Sequence, residues 1–354
     1  MITKMNKRNI TFSEAMRESL FQSMNKYNKL LIMGLGITDP KGIFGTTLGL
    51  LKKFGDKRVI ETPTSENAIT GIAIGSAINQ NPVVLTHQRV EFALLSMEQI
   101  INQAAKWHFM TAKKKSVPIV IRLIIGRGWG QGPQHSQTLE VLFSHVPGLK
   151  VIAPFNGYEA KGMLNAAIKD KNPVIFFEHR WLHQTISFVP KKYYELDLNK
   201  AKVIRKGNSL TLISFSYGLI ECIKAADILK KYNISCEIID LRILHSIDKK
   251  TIIKSIKKTK KVIIVDNGWS KFGISAEIMS NIVEEINFNL DFKPVRLGNF
   301  QSSLPSSRHL AKYWYVNYTH IIKNAIIMFN LNLKTKFLLD DISDVPDNNF
   351  KGPF

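Results

Sequence analysis

Residues 117–125 read Val-Pro-Ile-Val-Ile-Arg-Leu-Ile-Ile, and residues 126–137 continue Gly-Arg-Gly-Trp-Gly-Gln-Gly-Pro-Gln-His-Ser-Gln. A short apolar run rich in β-branched residues and stopped by glycine reads as a buried strand, and the turn leads into helical spacing over 136–146. The same strand-then-helix unit recurs on both sides. Strands are expected at 29–35, 82–86, 150–153 and 173–178, with helices at 12–26, 66–79, 92–112 and 157–170. Such alternation predicts a doubly wound α/β layer around a mostly parallel sheet. After a polar, aromatic-containing connector at 181–205, a second αβ series follows, with strands at 209–214, 235–240 and 261–266 and a helix at 217–232. The expected domains are 1–185 and 206–330, joined by a linker at 186–205 and followed by a loosely attached tail at 331–354.

With 354 residues, 45% of them hydrophobic, the chain can bury two ordinary cores. Its N-terminus is basic without an apolar core, and no run reaches the roughly 20 apolar residues that span a bilayer. The expectation is a soluble, cytoplasmic chain with no membrane partner. Two cysteines, Cys222 in a helix and Cys236 in a strand, have no CxxC spacing and read as buried, inert thiols. The net charge of +21 raises nucleic-acid binding, but the lysines are scattered through every segment with no aromatic-basic platform, so no specific nucleic-acid partner is expected. The nine histidines form no HExxH pattern and no GxSxG elbow occurs.

Three segments can carry chemistry. In Thr62-Pro63-Thr64-Ser65-Glu66, the proline ends an extended run, Ser65 is placed to cap the next helix, and Glu66 falls in its first turn. A carboxylate there can simply favour the helix dipole, by roughly 0.3–1 kcal/mol, or serve a reaction. Gly71 and Gly75 on the same helix would let another backbone approach, which suggests a buried interface. The glycine-rich loop at 126–137 resembles a nucleotide loop but lacks the lysine-serine ending of a P-loop, and the next strand runs into Pro154 in place of a ribose-binding acid. The alternative is a loop presenting His135 at the carboxyl edge of a strand, where an imidazole suits proton transfer. Aromatic and methionine positions over 92–110 follow helical spacing and read as packing.

Taken together, TPTSENAITGIAIGSA, MEQIINQAAKWHFM, VPIVIR, GPQHSQ, HVPGLKVIAPFN, EAKGMLNAAIKDKNPVIFFEHR and VIIVDNGWSKFG resemble the beta subunit of the decarboxylating first component of 2-oxo-acid dehydrogenase complexes, from about 8 to 330. The resemblance implies a transketolase-like pyrimidine-binding domain followed by a transketolase C-terminal-type domain. It also implies thiamine diphosphate shared with an alpha subunit that carries the diphosphate and Mg2+ site, since GDG followed by NN is missing here. An alpha-beta heterotetramer with two copies of each chain is implied, as is docking to a lipoyl acyltransferase core.

On the matching motifs, Glu66 is the glutamate that hydrogen-bonds a pyrimidine ring nitrogen and promotes loss of the thiazolium proton. His135 is the histidine near the substrate carbonyl, and Gln88 and Phe92 fall where the pyrimidine pocket is lined. Ile119, Ala167, Ile168, Asp170 and Asn172 fall on segments that can hold a structural potassium ion through backbone carbonyls, against the simpler reading of a strand edge and a polar turn capped by Asp170.

The chain also departs from the family pattern. Thr86-His87-Gln88-Arg89-Val90-Glu91-Phe92 replaces a Glu-aromatic stretch, which opens the choice of substrate. Arg89 suits an acidic substrate group or, preferably, an intersubunit ion pair. Trp129 is similarly ambiguous, and Thr111-Ala112-Lys113-Lys114-Lys115 replaces a Ser-Gly-Gly turn. Rival readings are the C-terminal subunit of a split transketolase-like enzyme and a non-catalytic assembly subunit.

Overall fold

The computed structural model describes residues 8–127, 130–286 and 290–331; Trp129 and residues 332–354 of the expected tail lie outside the described residues. Two compact units form, one from residues up to 125 together with 143–198, the other from 126–142 together with residues from 199 onward.

The strands of the first unit are β1 (Asn9–Thr11), β2 (Leu31–Gly34), β3 (Val59–Glu61), β4 (Val83–His87), β5 (Ile119–Ile125), β6 (Lys150–Ile152), β7 (Val174–His179) and β8 (Ile186–Phe188). Six of them make one parallel sheet in the order β3-β2-β4-β5-β7-β6, while β1 and β8 pair antiparallel. Every residue of β4, β5 and β7 is buried, as a sheet covered by helices on both faces requires. Helix Phe12–Lys26 starts with a full capping box between Thr11 and Glu14 and buries Phe12, Met16, Leu20 and Met24. It packs on helix Gly157–Lys169, where Ser19 donates to Asn165 Oδ1 at 2.7 Å.

In the second unit, β9 (Lys202–Arg205), β10 (Leu210–Ser214), β11 (Cys236–Asp240), β12 (Val262–Trp269) and β13 (Val295–Asn299) order as β13-β12-β10-β11-β9, with only β9 antiparallel. Cys222 and Cys236 are buried here, and burial pushes both thiols up, that of Cys236 to about 12, so neither is a reactive thiolate.

Four local expectations need correction. The helix expected over 136–146 is only Glu140–Ser144, because the carbonyl of Gln137 accepts from Gly126 N at 3.0 Å and closes a loop instead. The helix expected over 92–112 is broken into Val90–Ala93, a 3-10 turn at Leu94–Ser96, a π turn at Gln99–Ala104 and Ala105–Met110. A π turn inserts a residue and slips the 3.6-residue period, so Phe109 and Met110, read as packing, are 85% and 64% exposed. Ser65 stands at the N-cap of helix Glu66–Ile78 but makes no capping hydrogen bond from its side chain. The connector at 181–205 is not irregular throughout, since it holds β8 and β9.

Candidate active site

The chain enters the first sheet at β2, crosses to β3 on one side and then to β4 on the other, so the strand order reverses between β2 and β4. Ligands of open parallel sheets bind at the carboxyl edge beside such a reversal, where successive loops diverge and leave a crevice. Three loops meet there: Leu35 after β2, Pro63 and Glu66 after β3, and Gln88 after β4. Together with Ile69, Thr86, His87 and Phe92 they line one pocket, so three residues picked from the sequence, Glu66, Gln88 and Phe92, are brought together.

Glu66 is half-buried in the first turn of its helix, on the pocket wall. Gln88 Nε2 donates to the Leu35 carbonyl at 2.8 Å, and a Cβ on Gly36 (φ +73°) would come within 2.3 Å of that nitrogen, so glycine is required for this approach. One pocket residue, His87, and one residue that holds a pocket loop, Glu61, escaped the sequence reading. The imidazole of His87 is 3% exposed, and burial lowers its pKa to about 4, so it is neutral near pH 7; its Nε2 lies 3.2 Å from Thr70 Oγ1. Thr70 in turn donates to Ser96 Oγ at 3.0 Å. The available signal was a histidine at the last position of a strand. Glu61 closes the loop after β2 by accepting from Gly36 N and from Thr38 N and Oγ1, the last two at 3.0 and 2.8 Å. Nothing in the linear pattern ties residue 61 to residues 36 and 38.

The chemistry of the pocket walls fits one face of an aminopyrimidine ring. Leu35, Ile69 and Phe92 supply apolar surface, Glu66 supplies a carboxyl, and Thr86 Oγ1 is buried with no hydrogen-bond partner among the described residues. An orphaned hydroxyl in a crevice is what a polar ligand would satisfy. Among the described residues no three His, Cys, Asp or Glu side chains cluster so as to hold a metal ion.

His135 belongs to the second unit, on the loop after Gly132, and its backbone N–H faces the Gly132 carbonyl at 3.5 Å. Gly132 (φ +68°) lies against Ser306, whose Oγ a Cβ would meet at 2.5 Å. The same segment is anchored by Arg127, which donates to the Val316 carbonyl at 3.2 Å with its guanidinium 4.2 Å from the centre of the Tyr315 ring. At its far end Glu140 is 1% exposed, and burial together with the charge of Asp266 raises its pKa well above the usual range.

The five residues read as a potassium site divide between the start of β5 (Ile119), the last turn of helix Gly157–Lys169 (Ala167 and Ile168) and the turn from it into β7 (Asp170 and Asn172). Because β5 and β7 are neighbours, with Val120 opposite Val174, both segments reach the amino edge of the sheet. Asp170 Oδ1 accepts from Asn172 N and Nδ2 at 2.9 and 3.1 Å, and Lys150 pairs with Oδ2, so the carboxylate is already engaged. Arg89 is 5% exposed, and its charge adds to burial in lowering the pKa of Arg180 to about 10.

Residues 8–184 match the family model described as "Transketolase, pyrimidine binding domain", and residues 199–321 match "Transketolase, C-terminal domain". The chain is 38% identical over 282 residues to the pyruvate dehydrogenase E1 component subunit beta of Rickettsia felis, covering 80% of this chain and 86% of that one. It is 34% identical over 306 residues to the mitochondrial pyruvate dehydrogenase E1 component subunit beta of Homo sapiens, covering 85% of each. Among solved structures, one titled "Split gene transketolase, inactive beta4 tetramer" superposes with a TM-score of 0.72 at 16% identity, covering 92% of this chain and 99% of that one, a likeness of fold. The sheet reversal, the pocket beside it and these matches agree: the chain has a transketolase-like fold and belongs to the family of beta subunits of the decarboxylating first component of 2-oxo-acid dehydrogenase complexes.

Proposed function

We propose that this chain is the beta subunit of a thiamine-diphosphate-dependent enzyme that oxidatively decarboxylates pyruvate or a related 2-oxo acid and passes the acyl unit to a lipoyl group. The observation that carries the reading is Glu66, held on the first turn of its helix in the crevice at the sheet reversal, with Gln88 and Phe92 on the same walls. When bound, thiamine diphosphate supplies the electron sink for decarboxylation. Glu66 holds and exchanges a proton at the pyrimidine ring nitrogen, the apolar walls exclude water from it, and Gln88, tied to Leu35, keeps its loop in register. His135 moves a proton at the substrate carbonyl oxygen.

The remainder of the site belongs to an alpha subunit, which would hold the diphosphate and Mg2+, in a heterotetramer of two alpha and two beta chains. Support for a partner comes from the pocket helix. Ile72 on that helix is 62% exposed, Leu95 beyond it is 63% exposed, and Gly75 has open space where a Cβ would stand. Small residues beside exposed apolar ones suit close approach of another backbone. A potassium ion, if held, would rest on main-chain carbonyls of Ile119, Ala167, Ile168, Asp170 and Asn172, because the Asp170 carboxylate is engaged. Docking to a lipoyl acyltransferase core would use the second unit.

The test is co-purification with an alpha chain and assay of 2-oxo-acid-dependent reduction of an artificial acceptor and of lipoyl acylation. Glu66→Gln should lower kcat about 100-fold or more, and the isolated chain should be inactive. Turnover by the isolated chain, or an unaffected Glu66→Gln variant, would defeat this reading. Ketol transfer without lipoyl acylation would favour a split transketolase.

A further inference from the structure

We propose that Arg127 is a positioning residue for His135, because it clamps the base of the glycine-rich loop at the carboxyl edge of the second sheet. The inference rests on the reading of His135 as the group that moves a proton at the substrate carbonyl oxygen. In the order β13-β12-β10-β11-β9, the chain leaves β10 for β11 on one side and then crosses to β12 on the other, so strand order reverses between β10 and β12. The carboxyl edge beside such a reversal is where open sheets of this kind take their ligands. In the second unit the chain's own residues rest there. The guanidinium of Arg127 lies 5.3 Å from the ring centre of Tyr217, in the turn after β10. A Cβ on Gly268, near the end of β12, would come within 3.0 Å of the Thr138 carbonyl oxygen. Both ends of the segment that carries His135 therefore bear on the two strand ends that flank the reversal.

The clamp is buried, and its acceptor is held in turn. Arg127 is 7% exposed, its guanidinium also lies 4.2 Å from the Tyr315 ring centre, and Nη2 donates to the Val316 carbonyl at 3.2 Å. A desolvated guanidinium beside two aromatic rings gains from both, and its planar fork fixes direction as well as charge. The Val316 N–H donates to Asn299 Oδ1 at 3.2 Å, and Asn299 Nδ2 donates to the Asn267 carbonyl at 2.6 Å. Asn267 Oδ1 accepts from Gly218 N at 2.8 Å. Arg127 is thereby tied to the ends of β13 and β12 and to the start of helix Gly218–Lys230.

The link to His135 runs through the neck of the loop. Gly126 N donates to the Gln137 carbonyl at 3.0 Å, so the residue before Arg127 is bonded to the one two positions after His135. Inside that neck Gly130 (φ +62°) and Gly132 (φ +68°) take left-handed conformations and add no side chain that would stiffen the loop. A reacting group displaced by about 1 Å can lose on the order of 100-fold in rate, so an imidazole on such a loop needs its base fixed from outside. Arg127 supplies that fixing and takes no part in the proton transfer itself.

The experiment uses the co-purified alpha-beta enzyme for rates and the full-length chain for amide exchange. Arg127→Met should lower kcat at least tenfold with KM for the 2-oxo acid within twofold. It should also speed exchange of the hydrogen-bonded Gly126 and His135 amides at least tenfold, while the amides of β10 and β12 keep the wild-type rate. Arg127→Lys, which keeps a cation and a donor, should fall between. Because the effect passes through His135, the loss in Arg127→Met/His135→Ala should equal that in His135→Ala alone. Losses that multiply in the double variant would overturn the proposal. So would unchanged exchange at Gly126 and His135, or an acceleration that extends equally to β10 and β12, the sign of a merely structural role. An unaffected His135→Ala variant would sink the assignment of His135 and this inference with it, whereas a loss there beside wild-type kcat in Arg127→Met would sink this inference alone.

Discussion

Glu178 on β7 and Asp266 on β12 are both deeply buried, at 0% and 3% exposure, yet their surroundings shift their pKa values in opposite directions. Burial opposes ionisation of Glu178, but Arg122, forked onto it through Nε and Nη2 at 2.5 and 2.9 Å, and His183, 3.3 Å away, reverse that and hold its pKa near 2. Burial of Asp266 outweighs the hydrogen bond from the Ser275 N–H at 3.1 Å and the more distant charge of Arg296, and raises its pKa to about 6; burial raises that of Glu140 as well. The difference teaches that depth alone does not decide which way a pKa moves. A guanidinium at hydrogen-bond distance does.

The largest test of that contrast removes the guanidinium. Arg122→Met should cost about 3–5 kcal/mol in urea unfolding of the first unit, because it leaves an uncompensated buried carboxylate. Adding Glu178→Gln should recover much of the loss; a cost under about 1 kcal/mol for Arg122→Met would break the comparison.

The second test uses pH. The folded state holds the Asp266 proton up to about pH 6, whereas an unfolded aspartate releases it near 3.8, so this residue's contribution is present below 3.8 and lost as pH rises through 6. Between these limits the wild type should lose on the order of 3 kcal/mol that Asp266→Asn does not lose. Glu178 has the opposite sign, since its contribution is present above 4.5 and is lost as pH falls through about 2. Parallel pH profiles for wild type and Asp266→Asn would remove Asp266 from the argument.

The smallest test compares two helix starts. Thr11→Ala breaks a full capping box and should cost about 1 kcal/mol in thermal unfolding, whereas Ser65→Ala, which loses no capping bond, should stay within about 0.5 kcal/mol. Equal costs would mean that Ser65 does cap its helix in solution.

Much of the fold was legible. Strands β4, β5 and β7 stood out because a sheet covered on both faces needs unbroken apolar runs, and helix Phe12–Lys26 falls on its expected bounds. Short strands β1, β3, β8 and β9 were not, because they are only partly buried and so lack the unbroken apolar run that marks the equally short β2 and β6. The break at Gln99–Ala104 was hidden for a related reason: a slip of one residue leaves the composition unchanged while turning Phe109 and Met110 outward. In the site, Glu66 was marked by the proline and helix start before it. Glu61 and His87 act through residues 23 to 25 and 17 positions away, and spacing of that kind has no sequence signature.

The sequence by itself determined the alternation of strand and helix, the two αβ series and the family motifs, because each depends on residue type and on neighbours a few positions apart. Only the tertiary structure decided which way the pKa of each buried acid moves, and that Leu35, Glu66 and Gln88 meet at a reversal of strand order. Those outcomes depend on distances of a few ångströms between segments far apart in the chain, where electrostatics and desolvation are set.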